Sequence, residues 1–227
     1  ILFAGSMPQQ EKTKKEYSES AASYIINKRL GELLTQKDIP IISGSISIGA
    51  WLKKIHSGTI EAKCKPENWK ASLILIENEL RKALQFGFTD QEFLLFKKEY
   101  LSQLDNAVQT MSTVDSQSYI YQIIGSLSEN TPFLDAIQYR DIAKPIIEKL
   151  TKEEALKEFQ RYWQLEHRLV SISGNAEIKD AEVEIKKVFE EAKAKEVVLQ
   201  NDSVLIAFPY EAKPENISKI LLKEEIP

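Results

Sequence analysis

The sequence has 227 residues, 43% of them hydrophobic and 28% charged, which allows one large domain, or one domain with extensions, and excludes wholesale disorder. Thirty basic residues against 34 acidic ones leave a net charge of −4, against the basic face of a general nucleic-acid binder. One cysteine excludes an intramolecular disulfide and a thiolate metal cluster, and two histidines restrict metal and acid–base chemistry.

The chain opens on Ile1-Leu2-Phe3-Ala4-Gly5, a short apolar run with no basic region before it and so not a signal peptide as it stands. Beginning on Ile, it reads as a piece of a longer or processed polypeptide. Residues 6–17 mix charges and read as a linker or the ragged lead into a helix. From Ser20 the pattern turns helical, with Ile25, Leu30, Leu33 and Leu34 near one face and Pro40 beyond the end. Two strand signals follow. Isoleucines alternate with small residues over 42–48, and Ile60, Ala62 and Cys64 alternate with polar residues over 59–64, as in a sheet covered on one face. Residues 51–58 between them could be a turn with strand on either side.

Trp69, Leu73, Ile76, Leu80 and Leu84 form a helical stripe that starts after Pro66 and stops at Gly87. Thr89 with Glu92 makes a capping box, and Phe88 and Phe93 suit a hydrophobic staple, so a helix starts there and continues through Phe96, Tyr100, Leu104 and Val108. Residues 115–127 read as another helix, broken by Asn130-Thr131-Pro132. Residues 133–150 read as short helical pieces around Pro145. Thr151 with Glu154 repeats the capping box ahead of a helix carrying Ala155, Phe159, Tyr162 and Trp163. Residues 168–173 read as a strand stopped by Gly174. A last amphipathic helix starts near Ile178, with Ala181, Ile185, Val188, Phe189 and Ala192 on one face. Beyond Val197 only Val204–Phe208 suggests a short strand. The sum predicts an α+β fold in two layers, an antiparallel sheet with helices packed on one face. The domain divisions expected are a lead-in over 1–19, the α+β domain over 20–196, and an extension toward a following domain over 197–227.

The chemistry-bearing residues do not form a recognisable site. No stretch approaches the ~20 apolar residues of a membrane span. His56 and His167 lie far apart, so the His-x-x-Glu-His pattern of inverted zinc peptidases cannot occur. Both read as surface or strand-edge histidines, and Glu166-His167 is the nearest thing to a composite site. Cys64 falls on the apolar phase of its strand, as a structural thiol does. Ser43-Gly44-Ser45 lacks the nucleophile elbow, and no phosphate-binding glycine loop is present. Glu77, Glu79, Glu92 and Glu99 share helices with lysines and read as a solvated face. Trp69, Trp163, Phe93 and Phe96 read as core. Asn216-Ile217-Ser218 matches the glycosylation triplet, a pattern common by chance.

Four local phrases, in order, carry a resemblance. They are Lys28-Arg29-Leu30-Gly31-Glu32-Leu33; Ala62-Lys63-Cys64-Lys65-Pro66-Glu67-Asn68-Trp69; Phe86-Gly87-Phe88-Thr89-Asp90-Gln91-Glu92 followed by Lys97; and Val170-Ser171-Ile172-Ser173-Gly174 running into the helix that ends near Phe189. Together, over roughly residues 20–195, they resemble domains of the pitrilysin/insulinase family of zinc metallopeptidases. The resemblance implies a repeated α+β domain. One copy in such a protein carries His-x-x-Glu-His and a distal Glu, while the others wall a chamber around an unfolded peptide. This chain has the phrases without the motif, so it resembles a non-catalytic domain, placed second in a long bacterial-type member. The family's late substrate-binding domain is disfavoured, because its Arg and Tyr have no counterpart over residues 35–42. Accordingly no catalytic, cofactor-binding or metal residue is carried over, and no cofactor is expected in this chain; zinc is expected in another domain. The expected partners are other domains of the same polypeptide and a peptide substrate of the full-length protein, with no nucleic acid and no membrane span. A periplasmic or otherwise exported location is suspected. The alternative is a scaffold or interaction module from an inactive relative.

Overall fold

The computed structural model describes the backbone at 9–51, 55–128, 130–164 and 168–198, and the side chains of the same residues except 9–13, 50–51 and 55. The strand expected at Val204–Phe208 and the triplet at Asn216 lie outside the described residues.

The chain order is α1 (Gln9–Leu33), β1 (Ile41–Trp51), β2 (Ile55–Cys64), a 3-10 turn at Pro66–Asn68, α2 (Trp69–Phe86), α3 (Asp90–Thr110), a second 3-10 turn at Met111–Thr113, α4 (Ser116–Ser128), α5 (Ala136–Lys149), α6 (Lys152–Trp163) and α7 (Ala181–Ala194). The described strands form one antiparallel hairpin, with Ile46 opposite Ile60 and Ile48 opposite Gly58. On β2 the expected alternation holds. Ile60, Ala62 and Cys64 are half-buried, while Thr59, Glu61 and Lys63 are exposed. The helices outnumber the strands, and the α+β assignment stands.

The core lies between the hairpin and the helices. Ala21, Ala22, Ile25, Ile26 and Leu30 of α1 meet Ile46 of β1, Leu80 and Ala83 of α2, Phe93 and Phe96 of α3, Ile147 of α5 and Phe159 of α6. Each large side chain among these contributes about 1.5–3 kcal/mol by leaving water. One small residue permits a close approach. Gly58 sits under Trp163, whose ring would lie 3.1 Å from a Cβ there. Asn27 on α1 reaches β1 with both ends of its amide. It donates to Ile46 O at 3.0 Å, and its Oδ1 accepts from Ile46 N–H at 2.8 Å. That amide occupies the outward backbone groups of β1 at its midpoint and blocks the strand edge there.

Four expectations need correction. The polar run at 6–17 is helical from Gln9, and Tyr17, Ser18 and Glu19 are buried. Local composition concealed this, since an N-terminal turn need only bury one face. The pieces expected around Pro145 form one helix, α5. Pro145 is exposed, and Ala143 and Ile147 on either side of it are fully buried, so their packing offsets the lost hydrogen bond. Residues 168–173 are not a strand. No described strand lies beside them, and Leu169 is 92% exposed. Period-two sequence provides the side chains for a strand but not the partner. Finally, Glu77 and Glu79 are buried rather than solvated. α2 is covered by β2, α6 and α7 together, so it has little open face left.

Candidate functional site

Two polar clusters join charged side chains from separate elements. The first joins two of the sequence phrases in space. Arg29 of α1 donates from Nε and Nη2 to the two carboxylate oxygens of Glu92, at 2.5 and 2.8 Å, and from Nη2 to Gly87 O at 2.9 Å. Glu92 also accepts from Thr89 N–H at 2.8 Å, while Thr89 Oγ1 accepts from Glu92 N–H at 3.2 Å, which completes the expected capping box. Burial pushes the Glu92 carboxyl up. The hydrogen bonds from Arg29 and Thr89 outweigh it, and the net effect holds the group below the usual carboxylate range. Lys97, one turn on, donates to Glu148 O at 2.8 Å near the end of α5. The residues at the centre of the resemblance therefore lock α1, α2, α3 and α5 together.

The second cluster links α1, α6 and β2. Tyr162 O–H donates to Glu19 Oε1 at 2.6 Å, and Arg161 Nη2 lies 3.4 Å from the same oxygen. Lys15, one turn back on α1, is 3.7 Å away. Burial and the Glu19 hydrogen bond push the Tyr162 phenol well above its usual range. Since the Tyr162 proton is committed to Glu19, its oxygen accepts from His56 Nδ1–H at 3.2 Å. The His56 ring is exposed at the strand surface. A carboxylate, a phenol and an imidazole in line make an orienting chain. Glu19 was not singled out from the sequence. The available signal was its phase, since Glu19, Ala22, Ile26, Leu30 and Leu33 fall on one buried face of α1.

Elsewhere Glu77 is raised above its usual range by burial, which the adjacent Arg168 and Arg81 only partly oppose. Arg168 Nη1 lies 3.4 Å from Glu77 Oε1, and its guanidinium stacks over Trp163. Cys64 is half-buried at the end of β2. Glu166 and His167 lie outside the described residues.

The resemblance implies zinc in the parent protein, so the donors must be tested for fit. Among the described residues no three His, Cys, Asp or Glu side chains gather to hold a metal. The best-placed pair, Glu19 and His56, is joined through Tyr162 rather than open to a shared ion, and the Glu19 carboxylate is neutralised by Arg161. That donor set does not fit a three-ligand zinc site.

Neither a protein-family model nor a curated protein matches the chain. Solved structures do. An insulinase-family protease from Yersinia pestis superposes with a TM-score of 0.67 at 15% identity, over 82% of this chain and 40% of that one. The first half of the periplasmic protease PqqL from Escherichia coli gives a TM-score of 0.67 at 16% identity, over 88% of this chain and 43% of that one. The longer PqqL structure gives 0.66 at 15% identity, over 92% of this chain and 23% of that one. At such identities the likeness is one of fold. The chain spans less than half the length of these proteins, and it has the fold of a domain from insulinase-type proteases.

Proposed function

We propose that this chain is a non-catalytic domain of a pitrilysin/insulinase-type zinc metallopeptidase, which helps form the peptide-enclosing chamber and positions the neighbouring domains. The carrying observation is a shared fold with proteases over 82–92% of the chain, in a sequence whose two histidines, His56 and His167, cannot form the zinc-binding motif. The zinc would sit in another domain of the same polypeptide. This chain's own groups would act through shape, by holding a wall rigid around a bound peptide and limiting what enters. The Arg29–Glu92 lock and the Glu19–Tyr162–His56 chain tie the helices to one another and to the hairpin, which suits such a wall. A periplasmic location follows the same reading, by analogy with PqqL.

Cleavage of a quenched fluorescent peptide mixture tests it. The isolated 227-residue chain is expected to leave the peptides intact, and the longer polypeptide that contains it to cleave them in a chelator-sensitive way. Cleavage by the isolated chain would overturn the reading. An inert polypeptide without the zinc motif would replace it with the scaffold alternative.

A further inference from the structure

α4 stands apart from the rest of the fold. It makes no extensive contact with any other helix or strand among the described residues. It is anchored from its own ends. Asp115 accepts from Ser118 N–H at 2.9 Å and from Ser118 Oγ–H at 2.7 Å, Tyr119 O–H donates to Met111 O at 3.0 Å, and the Tyr119 ring meets Phe133. One face of the helix is apolar. Ile120, Ile123, Ile124 and Leu127 recur at the three- and four-residue steps of a single helical ridge, with Tyr121 beside them, and these five are 41–74% exposed. The helix contains no charged residue. Gly125 flanks the ridge, with open space where a Cβ would be.

The size of this face selects its occupant. The five side chains, each roughly half exposed, offer on the order of 500 Å², the size of the largest apolar patch on a typical monomer, which is often functional. Two freely diffusing copies pairing through it would bury roughly 1,000 Å², below the ~1,200–2,000 Å² of stable associations. The same area falls inside the ~600–1,500 Å² typical between domains of one chain, where tethering supplies an effective concentration in the mM range. Proteins that share the fold contain such a tethered neighbour's worth of chain, because the first half of PqqL is more than twice as long as the part matched here. An anionic membrane surface is a poor occupant, since the ridge has no basic flank on its own helix.

We propose that the Ile120–Ile123–Ile124–Leu127 ridge of α4 is the surface on which a second domain of the same polypeptide packs. This rests on the reading of the chain as one domain of a longer peptidase, and it assigns the contact to one helix.

Hydroxyl-radical footprinting with mass spectrometry tests it on the wild-type proteins. Tyr121 and Leu127 are expected to label strongly in the isolated chain and several-fold less in the longer polypeptide. Ile124→Asp is expected to leave the thermal midpoint of the isolated chain unchanged. In the polypeptide the same change should lower the midpoint and restore Tyr121 labelling. Equal labelling in both wild-type proteins, in a polypeptide that does contain a second domain of this fold, would overturn the interface and leave the peptidase reading standing. A polypeptide with no such domain would remove both. Concentration-dependent protection of Tyr121 in the isolated chain, with a dimer mass by light scattering, would assign the ridge to a second copy instead.

Discussion

Glu92 accepts from a guanidinium and a backbone N–H at once, and Glu77 is buried with one long contact to Arg168. The two carboxylates therefore respond to pH in opposite directions. The Glu92 carboxyl titrates lower in the fold than in the unfolded chain. Its stabilisation is present above the unfolded pKa and is lost as pH falls through the folded one. Glu92→Gln is expected to cost about 2 kcal/mol at neutral pH, with the deficit shrinking in acid, as read by urea unfolding across pH. The Glu77 carboxyl titrates higher in the fold. Ionising it between its unfolded and folded pKa values takes stability away. Glu77→Gln is thus expected to be neutral or to add up to ~1 kcal/mol at neutral pH, as replacements of buried ion pairs can. A loss of stability there would show that the Arg168 contact outweighs desolvation.

At the scale of elements, the junction between α2 and α3 is where sequence and structure agree most closely. Thr89 with Glu92 and Thr151 with Glu154 form the expected capping boxes. Gly87 ends α2 at a φ of +74°, and a Cβ there would meet Leu156 Cδ2 at 2.9 Å. The leucine tip could move aside, but the backbone angle remains unfavourable for any residue with a Cβ. Gly87→Ala should therefore lower stability by about 1–3 kcal/mol in thermal or urea unfolding. No change would mean the turn relaxes freely. Capping and hairpin signals were legible because they are local: side chain and backbone partner lie within a few residues. Four features were not. Asp135 and Gln138 form a third capping box, a pattern present in the sequence but eclipsed by Pro145. The register of α1 before Ser20 depends on which face the core covers. The fate of residues 168–173 depends on whether another strand lies beside them. The Glu19–Tyr162–His56 chain was hidden for the same reason, since its members come from three elements far apart in sequence.

For the whole molecule, the fold joins a blocked hairpin edge, helices locked by Arg29 and a helix, α4, that makes no extensive contact with another element among the described residues. Each is compatible with the proposed role of a domain packed against neighbours. Zinc content is the most direct test of the proposed function, because that reading puts the metal in another domain and, among the described residues, no three metal-ligating side chains gather. The purified 227-residue chain is equilibrated with zinc, dialysed, and measured by inductively coupled plasma mass spectrometry alongside the longer polypeptide. The account predicts a trace of zinc in the isolated chain and one tightly held ion per longer polypeptide. Stoichiometric zinc in the isolated chain, lost when His56 or His167 is replaced by Ala, would contradict it.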